Sequence, residues 1–525
     1  GGWPLNVFLM PDAKPFYGGT YFPPVKAHNR ASWIDVLEGV RLGYQDRKHE
    51  IFSQAENLTE HLLSANKFGI KTAGSSQENI DFEAQRLNTI TQNLLENADT
   101  TWGGFGRAPK FPQTFSIQFL LRHYHFTKDA SALKQALLSL DKMIDGGIYD
   151  QLAGGFARYS TDNEWLAPHF EKMLYDNGQL ISLYSDAYKL TQNPLYKNTI
   201  EKTLQFVTKE WKTIEGGFYS ALDADSLNNE QHLEEGAFYV WKIPQLKAII
   251  KDDFEIFSQV FNINSFGLWE EENYVLIQNQ SLDTIAETNY ISVDDLEKKK
   301  KNWEQLLYTE REKRSKPRLD DKCLTSWNAI MLKGYVDAYK ALGNQDYLNT
   351  ALENANFIIK NLWSTEGHLF HNYKNGKSTI NGYLEDYCFV IAAFISIYEV
   401  TWDEKWLHDA KQLVDYSLEH FYDEQHSFFR FTSDKDEALI SVHFETEDNV
   451  IPASNSVMAK NLYQLSIYFN NSYYEKVAKQ MLSILLPNID YPSAYSNWLD
   501  LALTISEQNK ELAICGDLAL EYCSK

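Results

Sequence analysis

Acidic side chains and one histidine mark the segments of this chain that are best suited to acid–base chemistry. Asp223 and Asp225 follow a Gly-Gly-Phe-Tyr segment, and His169 lies in a Pro-His-Phe-Glu-Lys segment. Two carboxyl groups whose environments push their pKa values apart can act as general acid and general base. Histidine can do the same near neutral pH. We therefore predict that His169, Asp176, Asp223, Asp225 and Asp386 are catalytic residues.

These groups have alternative interpretations. Carboxylates also bind calcium, but the Asp-Ala-Asp motif at 223–225 followed by Glu-Glu at 234–235 lacks the twelve-residue pattern of an EF-hand. We therefore predict no metal site and no cofactor, with solvated surface acids as the competing reading. His371 and His443 are candidate partners of His169, and a structural role is equally compatible with each.

Polar residues recur near the starts of five predicted helices. They are Asp176 and Asn177, Ser326 and Asn328, Glu385 and Asp386, Ser454 and Asn455, and Ser496 and Asn497. A helix start has unpaired N–H groups and the positive end of the helix dipole, so it attracts polar groups. Capping is the alternative role for each single residue, because Ser, Asp and Asn favour helix starts. From this set we predict that Asn177, Asn328, Glu385 and Asn455 bind substrate.

Several segments that precede these helices contain glycines followed by an aromatic residue, as at 102–105, 154–156 and 216–219. Glycine lets the backbone turn tightly or approach a ligand closely, and an aromatic face can pack on the apolar side of a sugar ring. Most of these aromatic residues are expected to pack loop against loop. We predict that five aromatic residues contact substrate, namely Trp102, Trp165, Tyr219, Trp241 and Trp327.

Helices must position all of these residues, because twelve segments from residue 79 onwards have apolar residues at helical spacing. The predicted pairs are 79–97 with 114–126, 130–145 with 169–190, 194–211 with 326–342, 346–363 with 383–400, 404–421 with 453–469, and 472–486 with 493–506. Short polar turns join consecutive pairs, so neighbouring helices lie antiparallel. The segment 383–400 is apolar nearly all round, whereas 404–421 keeps one apolar stripe, so the second member of each pair is predicted to be the inner helix.

This alternation predicts a mainly α fold in which six helical hairpins close into an (α/α)6 toroid. The long loops precede the inner helices and gather at one end of the ring, which we call the long-loop rim. We expect a shared pocket there, because the polar helix starts face the same end. The predicted domains are residues 1–73, a barrel over 74–508 with a long insertion at about 222–324, and a short piece over 509–525.

The first 73 residues have a different pattern. Residues 5–9 and 16–22 are predicted to be strands of a hairpin, since a turn with proline at each end separates them. Residues 32–63 have helical spacing and are predicted to form one long or broken helix. Residues 74–77 are a predicted linker.

Composition excludes two classes of partner. The 525-residue chain has a formal net charge of -23 and a pI near 5.0, which repels nucleic acid and anionic lipid surfaces. The nearly apolar run 387–398 is shorter than the roughly 17 to 25 residues of a membrane span.

The four cysteines have neither metal-ligand nor CxxC spacing, so a reducing compartment and a cytoplasmic location are predicted.

Five long motifs resemble the spermatogenesis-associated protein 20 family. They are GWPLNVFL at 2–9, GGTYFPP at 18–24, HFEKMLYDN at 169–177, SALDADS at 220–226 and DDKCLTSWN at 320–328. The resemblance covers essentially the whole chain. It implies a thioredoxin-like N-terminal domain joined to an (α/α)6 barrel similar to those of N-acylglucosamine 2-epimerases and six-hairpin glycosidases.

The same resemblance implies how the two ends are organised. Trp3-Pro4 would match the cis-proline loop of the thioredoxin-like fold, beside which a Cys-containing motif lies upstream. Residues 1–73 are therefore expected to be the C-terminal half of a thioredoxin-like α/β domain, and 509–525 the start of a truncated strand–helix piece. A redox role would need an attacking thiolate from residues outside this chain.

Two functions of different classes fit the sequence. The first is a carbohydrate-active hydrolase or epimerase with a sugar-like small-molecule ligand. Hydrolysis needs two opposed carboxyl groups, whereas epimerisation needs two bases at one carbon, and His169 is the one obvious base. The second is a thioredoxin-linked redox or regulatory protein, with a protein partner at the thioredoxin-like domain and no turnover in the barrel. A purely structural scaffold would not need acids and asparagines at five helix starts.

Overall fold

The computed structural model describes residues 4–27, 29–65, 84–228, 230–507 and 516. Its N-terminal part is an antiparallel hairpin of β1 (Asn6–Leu9) and β2 (Pro15–Gly19), followed by α1 (Trp33–Asp46) and α2 (Lys48–Ala65). The predicted hairpin is confirmed. The helical region is broken at Arg47, whose backbone (φ −128°, ψ 38°) is not helical.

Three predicted features lie outside the described residues. They are the Trp3-Pro4 peptide bond, the linker at 74–77 and, apart from Gly516, the piece at 509–525.

Sixteen further helices follow in the described part of the chain. They are α3 (Ala84–Glu96), α4 (Thr114–Thr127), α5 (Ala130–Asp145), α6 (Leu174–Thr191), α7 (Pro194–Glu210), α8 (Ile243–Ile250), α9 (Phe254–Val260), α10 (Leu282–Thr288), α11 (Val293–Arg311), α12 (Thr325–Leu342), α13 (Gln345–Phe357), α14 (Leu384–Thr401), α15 (Lys405–His420), α16 (Ser454–Phe469), α17 (Ser472–Leu485) and α18 (Ser496–Ser506). A π-helical segment, Ile358–Leu362, extends α13.

Helices α4, α6, α12, α14, α16 and α18 form a closed inner ring. Each contacts the next in this order, and α18 contacts α4. The hydroxyls of Ser116 and Ser496, 3.0 Å apart, join the first and last members of the ring. Helices α3, α5, α7, α13, α15 and α17 form the outer layer, each packed against an inner helix. The predicted (α/α)6 toroid is therefore confirmed.

Burial agrees with this layering. Helix α14 is buried on nearly every side, whereas α15 buries one stripe that includes Trp406, Leu413 and Val414. The buried side chains of both layers belong to one continuous hydrophobic core. An apolar surface all round a helix is stable only where protein surrounds it, so the sequence difference between the two helices fixes their layers.

Short strands shape the rim loops and the insertion. They are β3 (Tyr159–Ser160), β4 (Pro168–His169), β5 (Lys172–Met173), β6 (Ala221–Leu222), β7 (Asp225–Leu227), β8 (Leu233–Glu235), β9 (Trp241–Lys242), β10 (Asn273–Tyr274), β11 (Leu319–Asp320), β12 (Cys323–Leu324), β13 (Phe370–Lys374), β14 (Lys377–Asn381), β15 (Tyr422–Asp423) and β16 (Phe428–Phe429). The order β11-β6-β5 joins the two ends of the insertion to the loop before α6. The insertion carries α8 to α11 around its own core, which includes Trp241, Phe257 and Trp303.

Two glycines allow α6 and α12 to approach closely. A Cβ atom on Gly334 of α12 would lie 2.8 Å from the carbonyl oxygen of Gly178 in α6. A Cβ atom on Gly178 would lie 3.0 Å from the backbone of Met331. The absence of side chains at both positions therefore sets the spacing of the two helices.

We predict that Gly334→Ala destabilises the barrel by about 1 to 3 kcal/mol, because backbone atoms must move to admit the methyl group. Urea unfolding measures the loss. Gly39→Ala in α1 is the control, since a Cβ atom there meets nothing within 4 Å. Equal stabilities of the Gly334→Ala variant and the parent chain would show that this helix contact is not tight.

Candidate active site

A cavity of about 550 Å³ occupies the lumen of the ring. All six inner helices line it, through residues that include Gln118, Gln179, Ile330, Phe389, Asn461 and Leu501. Tyr175, Trp327 and Glu385 precede the lining residues of their own helices by three or four positions. Because residues at this spacing share one helix face, these three side chains lie on the inward face, one turn nearer the long-loop rim.

Ionisable side chains meet at the starts of α12 and α14. The His371 Nδ1 atom lies 3.0 Å from a carboxylate oxygen of Asp386, and the Ser326 hydroxyl donates to Glu385 at 3.2 Å. Asp386 also accepts hydrogen bonds from the backbone N–H groups of Ser326 and Tyr383. One ligand atom from each of His371, Glu385 and Asp386 lies within 4.8 Å of the others, so these three side chains could hold a metal ion.

Glu385 is the acid of this group. Burial and the neighbouring carboxylates of Asp386 and Glu445 raise the pKa of Glu385 to about 8. Burial opposes the charged form of His371, but the hydrogen bond to Asp386 raises the pKa of this histidine. Glu385 is half-buried and therefore accessible. A carboxyl group with a pKa raised to about 8 keeps its proton near neutral pH and is suited to general-acid catalysis.

Asp386, which is predicted to be catalytic, is buried beside His371 and Glu385. Its side chain is 0% exposed, and its two oxygens accept the hydrogen bonds from His371, Ser326 and Tyr383. With these partners and no exposed surface, Asp386 is placed to orient His371 and not to contact a substrate.

A second group surrounds His169. The prediction that an inner helix starts at His169 is wrong, because this residue lies in β4 and α6 begins at Leu174. Strand pairing of β4 with β3 and of β5 with β6 keeps this segment extended. The His169 ring stacks on Tyr159 at 4.9 Å, and its Nδ1 and Nε2 atoms lie 2.7 Å and 3.8 Å from carboxylate oxygens of Glu235 and Glu171.

Asp223 and Asp225 lie beside this second group. Burial, the Asp223 charge and the Glu235 charge raise the pKa of Asp225, and His169 acts in the opposite direction. Asp225 is exposed, and a carboxylate oxygen of Asp223 lies 3.4 Å from the Arg318 guanidinium. The fold thus brings together three of the predicted catalytic residues at one edge of the rim.

Asp176 is a buried acid at the start of α6. It is 3% exposed, and its Oδ2 atom has no hydrogen-bond partner among the described residues. Burial raises the pKa of Asp176 well above its usual range, against the opposing charge of Arg158. The neighbouring Tyr175 packs edge to face on Trp327, with ring centroids 4.7 Å apart. Asp176 is therefore a buried acid next in sequence to Tyr175, whose ring contacts Trp327 between α6 and α12.

Three predicted substrate-binding asparagines hold the rim loops. Asn177, Asn328 and Asn455 each accept a hydrogen bond from the N–H group of a phenylalanine and donate one to its carbonyl oxygen. The phenylalanines are Phe156, Phe218 and Phe429, respectively. All three asparagines are 0% exposed. Their amides are occupied within the protein, so the structure gives them a role in loop closure and not in substrate contact.

Two of the five predicted aromatic contacts are buried. Trp165 is 0% exposed, and its indole N–H donates to the carbonyl oxygen of Trp102. Trp241 is 1% exposed in the core of the insertion, with the Arg314 guanidinium 3.8 Å above its ring centroid. Neither ring presents a face to a ligand, because protein groups cover both.

The other three aromatic residues are half-buried. Trp102 stacks on Phe266 of the insertion at 5.8 Å, and Tyr219 packs against the main core. Trp327 differs from both, because it lies on the inward face above the cavity. Of the five, Trp327 is the one that is placed to contact a ligand in the lumen.

Four further polar residues of the rim were not predicted from the sequence, namely Arg158, Glu171, Tyr175 and Glu445. Glu445 lies in the loop before α16 and accepts a hydrogen bond from the Ser454 N–H group at 3.0 Å. Arg158 pairs with Glu171 at 3.1 Å. Glu171 is two residues after His169, so alternation along an extended segment was the signal that could have found it. The others reach the rim only through folding.

The family model Thioredox_DsbH, described as a protein of unknown function, DUF255, matches residues 1–63. Spermatogenesis-associated protein 20 of Homo sapiens is 31% identical, covering 98% of this chain and 70% of the human protein. This chain belongs to the spermatogenesis-associated protein 20 family. The protein of the same name in Mus musculus is 30% identical, covering 98% of the chain and 69% of the mouse protein.

Three solved structures with some similarity to this family member have the following names and scores. The GH76 alpha-mannanase of Bacteroides thetaiotaomicron is 12% identical, covering 84% of this chain and 97% of that chain, with a TM-score of 0.46. The unsaturated glucuronyl hydrolase of Bacillus sp. GL1 is 10% identical, covering 81% and 94%, with a TM-score of 0.46. The cellobiose 2-epimerase of Bacillus thermoamylovorans is 13% identical, covering 70% and 95%, with a TM-score of 0.32.

Within the described part of the chain, every helix is too short or too polar to cross a bilayer.

We predict that Asn328→Ala lowers the free energy of unfolding by about 2 kcal/mol or more, because it leaves both buried backbone groups of Phe218 without partners. Denaturant titration measures the change. Asn349→Ala, at an exposed position of α13, is the control and should change stability by less than about 0.5 kcal/mol. A loss at Asn328 no larger than at Asn349 would contradict the assigned role.

We also predict a pH dependence of stability that comes from Glu385. The pKa of Glu385 is raised from 4.5 to about 8 in the folded state, so the folded state binds this proton more tightly than the unfolded state does. The stabilisation that Glu385 gives to the folded state is therefore full below about pH 4.5 and is lost as pH rises to about 8. Glu385→Gln should flatten the dependence of Tm on pH in this window. Glu404→Gln, at an exposed position before α15, should leave the curve unchanged. Parallel curves for all three proteins would show that Glu385 has an ordinary pKa.

Proposed function

We propose that this chain is a carbohydrate-active enzyme that cleaves a glycosidic bond at the long-loop rim, with Glu385 as proton donor. The observation that carries the proposal is a half-buried carboxyl group that keeps its proton near neutral pH on the inward face above a cavity of about 550 Å³. This volume is within the usual range for small-molecule sites.

Glycosidic cleavage needs an acid for the leaving oxygen and a second carboxylate at the reacting carbon. Glu445 is our candidate for the second group, because it is half-buried and its charge acts on Glu385. The N–H group of Ser454 at the start of α16 fixes its orientation. The buried Asp386 holds His371 beside Glu385, so the proton donor sits between groups of fixed position.

The cavity lining supports a ligand rich in hydroxyl groups. Side-chain amides from four of the six inner helices line it, namely Gln118, Gln179, Asn461, Gln464 and Asn497. Each of these amides also donates a hydrogen bond within the protein, so sugar hydroxyls would use the amide atoms that stay unpaired. Trp327 follows Ser326, which donates to Glu385, and supplies a partly exposed aromatic face on which the apolar side of a sugar ring can pack.

Epimerisation is a second candidate, favoured by one specific observation. The histidine–carboxylate pairs of the rim include His169 with Glu235 and His371 with Asp386. Two such bases could remove a proton from a sugar carbon and return it on the other face. Incorporation of solvent deuterium into a reducing sugar without bond cleavage would distinguish this reaction from hydrolysis.

The thioredoxin-linked alternative draws no support from the described cysteines. Cys323 and Cys388 are buried, and burial raises the pKa of Cys323 to about 12 and that of Cys388 well above its usual range. Thiol exchange requires a thiolate, so these two residues are poor candidates for it. A protein partner at the thioredoxin-like region and a cytoplasmic location remain predictions.

We predict that Glu385→Gln lowers kcat/KM for a glycoside by about a hundredfold or more, mainly through kcat, because glutamine keeps the shape but cannot donate the proton. Activity of the parent chain should fall as pH rises through about 8, where Glu385 loses its proton. Steady-state kinetics on a panel of oligosaccharides and aryl glycosides measures both effects, with Glu404→Gln as the control.

Two results would contradict this proposal. One is neither binding nor turnover of any member of the panel by the parent chain. The other is full activity of Glu385→Gln with an unchanged pH profile, which would mean that the proton comes from another residue.

A further inference from the structure

A second cavity lies outside the ring, between the outer helix α7 and helix α11 of the insertion. Its volume is about 340 Å³. Six basic and four acidic side chains line it, although the chain as a whole has a net charge of -23. Its lining includes none of the rim residues to which acid–base roles are assigned above, so it is a separate site.

The inner end of this cavity holds an unbalanced charge. Lys172 and Arg311, each with a 3% exposed side chain, share one buried carboxylate, Asp150, at 2.9 Å and 2.8 Å. The same Asp150 oxygen that binds Arg311 also accepts the N–H groups of Leu152 and Ala153. The Nε atom of Arg311 is buried with no hydrogen-bond partner among the described residues. One carboxylate therefore serves two buried cations.

The charge pattern repeats at the side of the cavity. Glu304 pairs with two lysines, Lys202 and Lys300, at 2.8 Å and 2.7 Å. Burying like charges together is costly unless counter-charges balance them. Two clusters with one carboxylate for two cations thus leave this region short of negative charge.

Aromatic rings form the rest of the wall. The Lys172 ammonium lies 4.3 Å from the ring centroid of Phe206, and the Arg311 guanidinium lies 5.1 Å from that of Phe238 and 5.6 Å from that of Tyr239. These rings offer apolar area for the body of a ligand, whereas a lone inorganic ion would fill only a small part of 340 Å³.

We propose that this cavity binds a small organic oxyanion, with its phosphate or carboxylate group held by Lys172 and Arg311 and its apolar body against the aromatic wall. The anion supplies the missing counter-charge and a partner for the Nε atom of Arg311. Arginine and lysine at a desolvated position are the usual donors for such groups. The proposal does not depend on the sugar chemistry of the rim.

Phenyl phosphate and benzoate are the probes, and phenol and benzamide are their uncharged counterparts. In calorimetric titrations the parent chain should bind the two anions and not the uncharged compounds, and the anions should raise Tm with increasing concentration. The difference between the phosphate and carboxylate probes identifies which group the site prefers. Lys202→Gln keeps Asp150 in place and should weaken anion binding about fivefold to tenfold, because one nearby cation is lost.

Asp150→Asn should strengthen the effect of the anion, whereas Lys202→Gln should weaken it. It leaves Lys172 and Arg311 buried without a counter-charge, so the variant should have a lower Tm without ligand and a larger gain in Tm with phenyl phosphate than the parent chain. Asp294→Asn makes the same change of charge at an exposed position of α11 and should behave as the parent chain does.

Three results would overturn the proposal. They are equal binding of the charged and uncharged probes, an unchanged affinity in Lys202→Gln, and equal gains in Tm for Asp150→Asn and Asp294→Asn. If Asp150→Asn does not fold, the Lys202→Gln titration alone decides.

Discussion

The closure of four rim loops by a side chain of the following inner helix is the constraint on which the rest of the rim depends. Buried backbone groups are costly when unpaired, and in three of these loops a buried phenylalanine has its N–H and C=O groups directed at that helix. An asparagine amide satisfies both at once in three of the repeats. In α14 the Tyr387 hydroxyl accepts the N–H group of Leu369, and Gly382 donates to its carbonyl oxygen. The loops are thus fixed before any ligand binds.

Much of the fold follows from local pattern, whereas the site does not. Helix periodicity and the contrast between α14 and α15 were enough to predict the layers and the ring. The position of Asn177 near a helix start was also visible, but the sequence does not show whether an amide points to the lumen or back to its own loop. The helix prediction at His169 is wrong because β3 and β4 are only two residues long and β5 pairs with β6, which is distant in sequence. Glu445, which acts on Glu385, is also distant from it in sequence.

At the rim, several acidic side chains lie close together and raise the pKa of Glu385. Acids from the starts or preceding loops of α14 and α16 lie close enough to act on one another, and like charges that are partly desolvated cannot all ionise. Hydrogen bonds fix the two neighbouring carboxylates, since Asp386 accepts from Ser326, Tyr383 and His371 and Glu445 accepts from the N–H group of Ser454. The raised pKa of Glu385 therefore depends on where the loops before α14 and α16 hold these carboxyl groups.

The segment that contains β4 and β5 carries residues of both regions. His169 and Glu171 belong to the rim group, whereas Phe170 packs in a small core with the insertion and Lys172 reaches the cavity between α7 and α11. Successive side chains of an extended segment point to opposite sides, so a shift that re-aims Lys172 must also move Glu171. The pairing of β5 with β6 and of β6 with β11 ties this segment to both ends of the insertion. The insertion is therefore placed to adjust the histidine group of the rim without touching the lumen.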